Sequence, residues 1–219
     1  MFIGHFALGF GAKPLAPKVS LGTLFLAAQF IDLLWPTFLL LGIERVRIEP
    51  GATAVTPLVF EHYPFTHSLL AVMGWAVLLG VVYGLLKRDR RGALVLGLLV
   101  LSHWALDLLV HRPDLPLSPW GDVLLGLNVW SSLSLTLALE VPMFALGAWV
   151  YARNTVALDG VGRWGLLGLV LFLFIIYAGN LFGTPPPNVL ALAWVGQLQW
   201  LLVLWGYWVD RHRRPVVPA

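Results

Sequence analysis

The sequence contains no cysteine and few charged residues. Without cysteine there are neither disulfide bonds nor thiolate metal sites, so any bound metal ion must be held by histidine, aspartate or glutamate. Charged residues make up 11% of the 219 residues, whereas hydrophobic residues make up 59%. This composition excludes a soluble globular domain and predicts an integral membrane protein.

The basic residues form no single patch. The formal net charge is +3, but lysine and arginine stand mainly at the ends of predicted helices. This distribution excludes nucleic acid as a partner and suits contact with the inner leaflet of a membrane, so membrane lipid is the expected surrounding. The first residues also lack the basic region and cleavage pattern of a signal peptide. We therefore expect this segment to remain on the mature protein.

Six apolar segments are each long enough to cross a bilayer, which takes about 20 helical residues. A shorter apolar segment, Met1–Ala12, precedes them and is interpreted as a half-helix packed inside the protein. The six predicted spans are Leu21–Ile43, Thr66–Leu86, Gly92–His111, Val129–Tyr151, Gly165–Gly183 and Val189–Val209. We predict an all-α, polytopic membrane helical bundle that forms one domain over residues 1–219, with supporting helices in residues 121–219.

Positive charge is divided unevenly between the two sides of such a bundle. With alternating spans, one side carries most of the 14 basic residues, namely Lys13, Lys18, Lys87, Arg88, Arg90, Arg91, Arg153, Arg163, Arg211, Arg213 and Arg214. The other side has only Arg45, Arg47 and Arg112. The positive-inside rule then predicts an inner-membrane protein with both termini in the cytoplasm.

The third predicted span carries His103, Asp107 and His111 at steps of four residues. At 3.6 residues per turn these side chains share one face of the helix. Imidazole and carboxylate groups on one stripe are a metal-binding set, and each is costly in hydrocarbon unless it is paired or liganded. Hydrogen bonding between helices is the other interpretation of the stripe.

Two carboxylates reach a similar depth. At 1.5 Å per residue, Asp32 and Glu140 each lie about 16 Å below the outer end of their predicted spans, and His103 lies about 12 Å below His111. Asp32 is either a ligand or the partner of a histidine or of Gln29. For Glu140, three roles remain open: a carboxylate that supports a metal ligand, a general base and a proton-pathway residue.

The polar connection over residues 44–65 is longer than a turn needs, which is typical of a functional loop. It delivers Glu61 and His62 to the next span, where His67 stands near the outer surface. Pro64 breaks the backbone between the two histidines, so both are expected to turn inward. These groups predict a polar cleft that runs from mid-membrane to the outer face.

Four blocks of the sequence resemble the membrane-bound metal-dependent hydrolase family, the YdjM-like inner-membrane proteins. The blocks are GH at residues 4–5, ID at 31–32, HYPFTHSLL at 62–70 and LSHWALDLLVHRPDLPL at 101–117, all within residues 1–120. The resemblance implies a metal-dependent hydrolase with a divalent ion of the zinc type. The metal or active-site positions that it implies are His5, Asp32, His62, His67, His103 and Asp107.

The sequence departs from the family pattern at two positions. Phe30 stands where the family commonly has a first aspartate, and Tyr63 stands where it has an arginine after the first histidine. Arg112, at the end of a neighbouring helix, is able to supply a cation in place of that arginine. The departures leave open whether the protein binds one metal ion or has lost catalysis.

Several residues are expected to act beside the ligands. A zinc ion held by His67, His103, Asp107 and a further histidine or aspartate would activate a water molecule, with Glu61 or Glu140 as general base. Since His111 is about 12 Å from His103 along the helix, the two do not share an ion. We expect His111 and Arg112 to contact the polar part of an amphiphilic substrate, such as a phospholipid-like or isoprenoid phosphoester.

Two other functions remain in play. A proton- or ion-coupled carrier requires a polar path that also reaches the cytoplasmic face, and an inactive structural module requires neither path nor metal. Between the mid-depth polar residues and the basic turns the sequence is almost wholly apolar. This lack of a polar path to the cytoplasmic face favours the enzyme over the carrier.

Overall fold

A computed structural model describes residues 1–216 of the chain. It is 67% helical, which confirms the predicted all-α bundle. The helices are α1 (Ile3–Gly11), α2 (Leu21–Ala28), α3 (Phe30–Leu40), α4 (Pro64–His67), α5 (Leu69–Lys87), α6 (Arg90–Val110), α7 (Leu133–Asn154), α8 (Gly160–Phe182), α9 (Val189–Gln197) and α10 (Gln199–Arg211). In this part of the chain α5, α6, α7, α8 and the continuous pair α9–α10 are long and apolar enough to cross a membrane.

Polar side chains fix the starts of the long helices. Each accepts a hydrogen bond from an amide of the first turn, which satisfies a donor that the helix itself leaves free. The capping residues are Ser68, Asp89, Ser132, Asp159 and Asn188. The Gly162 amide, helped by His212, also holds the pKa of the exposed Asp159 carboxyl below its usual range. These caps move the helix starts a few residues from most of the predicted boundaries.

Helix α1 is too short to span a membrane and lies buried among other helices, as the sequence predicted. It packs mainly on α7 and α2, and also touches α6. Gly147 of α7 allows the closest approach, because a Cβ atom there would lie 2.3 Å from the Ala7 carbonyl oxygen. This packing brings His5 into the centre of the bundle.

The predicted span Leu21–Ile43 is not one straight helix. It divides at Gln29 into α2 and α3, which are bent by 58° relative to each other. Side chains from other helices meet carbonyls near the bend: His103 Nδ1 lies 2.9 Å from the Ala28 oxygen, and Gln199 Nε2 lies 3.4 Å from the Asp32 oxygen. Pro36 has no N–H for that second carbonyl, so a group from α10 takes its place.

The connection over residues 44–65 folds partly as an antiparallel hairpin that the sequence analysis did not predict. Strand β1 (Arg45–Ile48) pairs with β2 (Leu58–His62), with Arg45 opposite His62. The short helix α4 then turns the chain into α5, so the predicted second span begins at Leu69 rather than at Thr66. The hairpin thereby sets which residues of this segment point into the bundle.

Two smaller strand pairs and one buried ion pair complete the fold. Strands β3 (Leu115–Pro116) and β4 (Leu124–Leu125) pair in the connection after α6, and β5 (Thr155–Ala157) pairs with β6 (Arg213–Pro215). Lys13, after α1, lies 2.9 Å from Asp210 of α10 and is almost wholly buried. The beginning and end of the described chain are therefore joined at one face of the bundle.

Candidate metal centre

Four polar side chains meet inside the bundle. Asp32 comes from α3, His67 from α4, and His103 and Asp107 from successive turns of α6. His67 Nε2 lies 3.5 Å from Asp32 Oδ1 and 3.9 Å from Asp107 Oδ2. His103 Nε2 lies 3.6 Å from the same Asp32 oxygen and 3.2 Å from the same Asp107 oxygen. Each imidazole therefore faces both carboxylates.

The neighbour of His103 determines which of its ring nitrogens carries hydrogen. Nδ1 lies 2.9 Å from the carbonyl oxygen of Ala28, which can only accept a hydrogen bond. Nδ1 must therefore donate, and in the neutral ring Nε2 keeps its lone pair. Nε2 is buried and has no hydrogen-bond partner among the described residues.

His67 is oriented in the same sense by a longer chain of hydrogen bonds. Its Nδ1 lies 2.7 Å from the hydroxyl oxygen of Thr66, and that hydroxyl donates to Glu44 Oε2 over 2.7 Å. Since the hydroxyl has given its only hydrogen to the carboxylate, Nδ1 of His67 must be the donor in the other bond. The lone pair of His67 Nε2 then faces Asp32 and Asp107.

This arrangement places hydrogen-bond acceptors against one another in a buried space, which requires a cation or added protons between them. A tetrahedral site with ligand bonds of about 2.0–2.2 Å has neighbouring ligand atoms about 3.3–3.6 Å apart. The four imidazole–carboxylate distances, 3.2–3.9 Å, lie within a few tenths of an ångström of that spacing. The buried group is thus able to hold a metal ion.

His5 forms an alternative set with His103 and Asp107. Its ring stacks on that of His103, with centroids 3.6 Å apart and planes inclined by 3°. Two stacked rings direct their lone pairs side by side rather than toward one point, and a single lone pair of His103 serves one ion. The set of Asp32, His67 and His103 and the set with His5 are therefore alternatives, not two separate sites.

The other oxygen of Asp107 is already engaged. His5 Nε2 lies 3.2 Å from Asp107 Oδ1, and the amino nitrogen of Met1 lies 2.6 Å from it. Asp107 Oδ2 is the oxygen that faces the two imidazoles. His5 is thus positioned to hold Asp107 in place, with Oδ2 turned toward the centre.

The centre is closed on most sides. The side chains of His67, His103 and Asp107 are 0–4% exposed, whereas that of Asp32 is 22% exposed. The rings of Trp35 and Tyr63 pack against His67, with centroids 6.2 Å and 5.0 Å away. A small molecule therefore reaches the centre most directly past Asp32.

Glu61 and His62 lie outside this centre. Both stand at the end of β2, where Glu61 is exposed and pairs with Arg47 over 3.1 Å. His62 is half-buried beside Phe65 and belongs to neither of the two possible metal-binding groups in the described chain. The expectation that His62 and His67 both turn inward holds for His67 only, because the hairpin keeps His62 at its own edge.

His111 and Arg112 are engaged with their own segment. His111 is 2% exposed, and its Nδ1 lies 3.0 Å from Asp114 and 3.3 Å from the Tyr63 hydroxyl. Arg112 lies 3.1 Å from the other oxygen of Asp114, and its side chain is one-third exposed. His111 is in neither metal-binding group, in line with its distance from His103 along the helix, but it is buried rather than open to a substrate.

Glu140 belongs to neither of the possible metal-binding groups in the described chain. It is 1% exposed and lies near the start of α1, and its Oε2 has no hydrogen-bond partner among the described residues. A carboxylate stabilises a helix N-terminus through the helix dipole. This position, outside both possible metal-binding groups, gives no support to a role for Glu140 as general base.

Two cavities lie near the connection that follows α6. One, of about 300 Å³, is lined by polar groups that include Glu61, His62, Asp114 and Asp122. The other is an apolar groove of about 600 Å³ along α5, lined by residues such as Leu70, Trp75 and Leu78. Pro119 and Trp120 line both, so a polar and an apolar compartment adjoin.

Sequence reasoning missed Glu44, Thr66 and the Ala28 carbonyl, all of which orient the histidines. Thr66 stands inside the THS block, directly before His67, and its position was a usable signal. Glu44 is 22 residues away in sequence, and only the hairpin brings it to Thr66. Comparisons of this chain with family models, curated proteins and solved structures found no match.

Proposed function

We propose that the protein is a membrane-embedded, metal-dependent hydrolase whose ion is held by Asp32, His67, His103 and Asp107. The observation that best supports this proposal is that the Nε2 atoms of two imidazoles face two carboxylates at 3.2–3.9 Å in a buried space. Three of the four ligands lie in the THS and SHxxxD blocks that resemble the YdjM-like family. Asp32 lies in the ID block.

Zinc is the ion that we assign. Two imidazoles and two carboxylates, without sulfur, suit a borderline divalent cation, and zinc takes four such ligands at short bond lengths. When bound, such an ion supplies a Lewis acid that activates water and polarises a carbonyl or phosphoryl group. Magnesium and calcium prefer more oxygen ligands than this group offers.

The protein side chains orient the centre and exclude water from it. Ala28 and Thr66 hold the two imidazoles with Nε2 inward, and His5 holds Asp107 by its outer oxygen. Such outer contacts fix the tautomer and the ring orientation of a ligating histidine. Asp32, as the most exposed ligand, lies on the side where substrate enters.

An amphiphilic ester or phosphoester is the substrate class that we propose. The adjoining polar cavity and apolar groove support it, since Pro119 and Trp120 line both, although none of the four proposed ligands lines either one. The polar cavity accepts a head group, and the groove accepts a hydrocarbon chain. Arg112 does not line this cavity, so its predicted contact with a phosphate gains no support from the geometry.

The membrane assignment rests on the apolar helices and on charge. Helices α5, α6, α7 and α8 and the pair α9–α10 are long enough to span a bilayer. The uneven distribution of lysine and arginine supports an inner-membrane protein with its basic turns and C-terminus on the cytoplasmic side, whereas the amino group of Met1 is buried beside Asp107. The hairpin and the two cavities then face outward.

Metal content is the test. The purified protein, prepared without a histidine tag, is expected to hold about one zinc ion per chain, and His103→Ala and Asp107→Ala are expected to lose it while remaining folded. His62→Ala serves as the matched control, because it removes a histidine outside the centre and should keep the metal. Full metal content in both His103→Ala and Asp107→Ala would contradict the proposed site.

Hydrolysis is measured on the same preparations. Detergent-solubilised protein is offered a panel of phospholipid and isoprenoid phosphate esters, and release of the head group or phosphate is followed. Activity that is lost in His103→Ala and kept in His212→Ala supports the hydrolase, because His212 pairs with Asp159 and lines neither cavity. A metal-loaded wild-type protein that cleaves none of these classes would contradict the proposed substrate class.

A further inference from the structure

We propose that Glu44 and Thr66 form a relay that selects the metal-binding tautomer of His67. Glu44 is a positioning residue in this scheme, because it acts on His67 through the Thr66 hydroxyl. The consequence for metal binding rests on the function proposed above, whereas the tautomer itself does not. The sequence pattern of metal ligands contains no place for Glu44.

Glu44 is buried, and both of its carboxylate oxygens accept hydrogen bonds. Glu44 is 2% exposed. Its Oε1 accepts hydrogen bonds from the amides of Phe65 and Thr66 over 2.9 Å and 2.8 Å. Oε2 accepts the Thr66 hydroxyl over 2.7 Å. A carboxylate offers no hydrogen in return, so the direction of the last bond is fixed.

That direction passes to the imidazole. With its hydrogen on Glu44, the Thr66 oxygen can only accept from His67 Nδ1, at 2.7 Å. Nδ1–H then leaves Nε2 unprotonated toward Asp32 and Asp107, the state in which a neutral imidazole binds a metal. The Glu44 carboxylate therefore determines, through the Thr66 hydroxyl, which nitrogen of the His67 ring carries the hydrogen.

Glu44→Gln is expected to move the ring hydrogen of His67 to the other nitrogen, while it nearly conserves the shape of the side chain at residue 44. The amide oxygen of glutamine is able to keep the two backbone hydrogen bonds, while its NH₂ group faces the Thr66 oxygen and donates to it. The Thr66 hydroxyl, no longer bonded to a carboxylate, is then free to donate its hydrogen to His67 Nδ1, and we expect the ring hydrogen to move to Nε2. His67 thereby loses the lone pair that points at the centre.

Nitrogen NMR of histidine-labelled, metal-free protein in detergent tests the tautomer directly. The His67 signals are assigned by their absence in His67→Asn. The wild type and Thr66→Ser, which keeps the hydroxyl, are expected to show Nδ1–H, and Glu44→Gln is expected to show Nε2–H. Unchanged nitrogen shifts in Glu44→Gln, or Nε2–H in the wild type, would overturn the relay.

Zinc titration of the same proteins gives a second readout. Glu44→Gln is expected to weaken binding about 10–100-fold, the usual effect of losing an outer-shell partner. In a Thr66→Val background, Glu44→Gln should cause no further loss, because the signal passes through the hydroxyl. An equal loss in both backgrounds would overturn the relay, since Glu44 would then act only by shaping the turn.

The two readouts separate the relay from the proposed function. If the His67 tautomer follows Glu44 as expected but the wild type binds no zinc, the relay stands and the metal-dependent function falls. If the wild type binds zinc and Glu44→Gln binds it equally well, the relay falls and the metal site stands. Thr66→Ser and Thr66→Val carry the comparison if Glu44→Gln does not fold.

Discussion

At the scale of single residues, the centre depends on which ring nitrogen of each histidine carries the hydrogen, as well as on which side chains face it. His103 and Asp107 were predictable because they lie four apart on one helix, where the helical period makes them neighbours. Glu44 was not predictable, because it meets Thr66 across a hairpin that the sequence analysis did not predict. For the same reason His62 was expected beside His67, whereas the strand register places it opposite Arg45.

His111 gives a prediction at this scale. His111→Ala should leave the zinc content unchanged, because the side chain is bonded to Asp114 and Tyr63 and not to the centre. It should lower the thermal midpoint, since a buried hydrogen-bonded side chain is lost at a cost of about 1–3 kcal/mol. Metal analysis and thermal unfolding in detergent measure the two effects.

The matched variant is His111→Asn, whose amide is able to donate to Asp114 from nearly the same position as Nδ1. It should recover part of the lost stability. Loss of zinc in a folded His111→Ala protein would instead show that this histidine is coupled to the centre, and the separation of the two sites along α6 would have to be abandoned.

At the scale of elements, breaks between helices leave polar groups available to other helices, whereas in a continuous helix the backbone groups bond to one another. The length of the apolar segment over residues 21–43 predicted one span, but the bend at Gln29 leaves the Ala28 carbonyl for His103 and brings Asp32 into the centre. Likewise the short helix α4 ends at His67 before α5 begins at Leu69. Hydropathy predicts the presence of a span, whereas such breaks depend on contacts with other helices.

The contact between α1 and α7 can be tested through glycine. Gly147→Ala should destabilise the protein, because the new Cβ would lie 2.3 Å from the Ala7 carbonyl oxygen and push the helices apart. Gly179→Ala is the control, since no atom lies within 4 Å of its new Cβ and alanine favours a helix by about 1 kcal/mol. Thermal midpoints in detergent are compared.

We expect the midpoint to fall for Gly147→Ala and to stay or rise for Gly179→Ala. Because α1 carries His5, the first variant should also reduce the zinc affinity. If both substitutions had the same effect, the close approach of α1 to α7 would be of no consequence for the fold.

At the scale of the whole molecule, the all-α architecture followed from composition, since long apolar segments leave little choice but helices in a membrane. Orientation remains a prediction that rests on the placement of lysine and arginine. A reporter that is active only in the cytoplasm should be active when fused at the C-terminus, and one that requires export should be inactive there. The opposite pattern would turn the hairpin and the cavities toward the cytoplasm.

The short helix α1 has a consequence for how the molecule is made. All four proposed ligands precede residue 108, whereas α7, on which α1 mainly packs, begins only at Leu133. A segment too short to cross the bilayer is held by its neighbours, and although α2 and α6 are made earlier, the packing of α1 is complete only after α7 has emerged from the ribosome. The proposed ligands are therefore made before the helix that completes their cover, and if they bind a metal ion as proposed, the nascent protein offers it the widest route in.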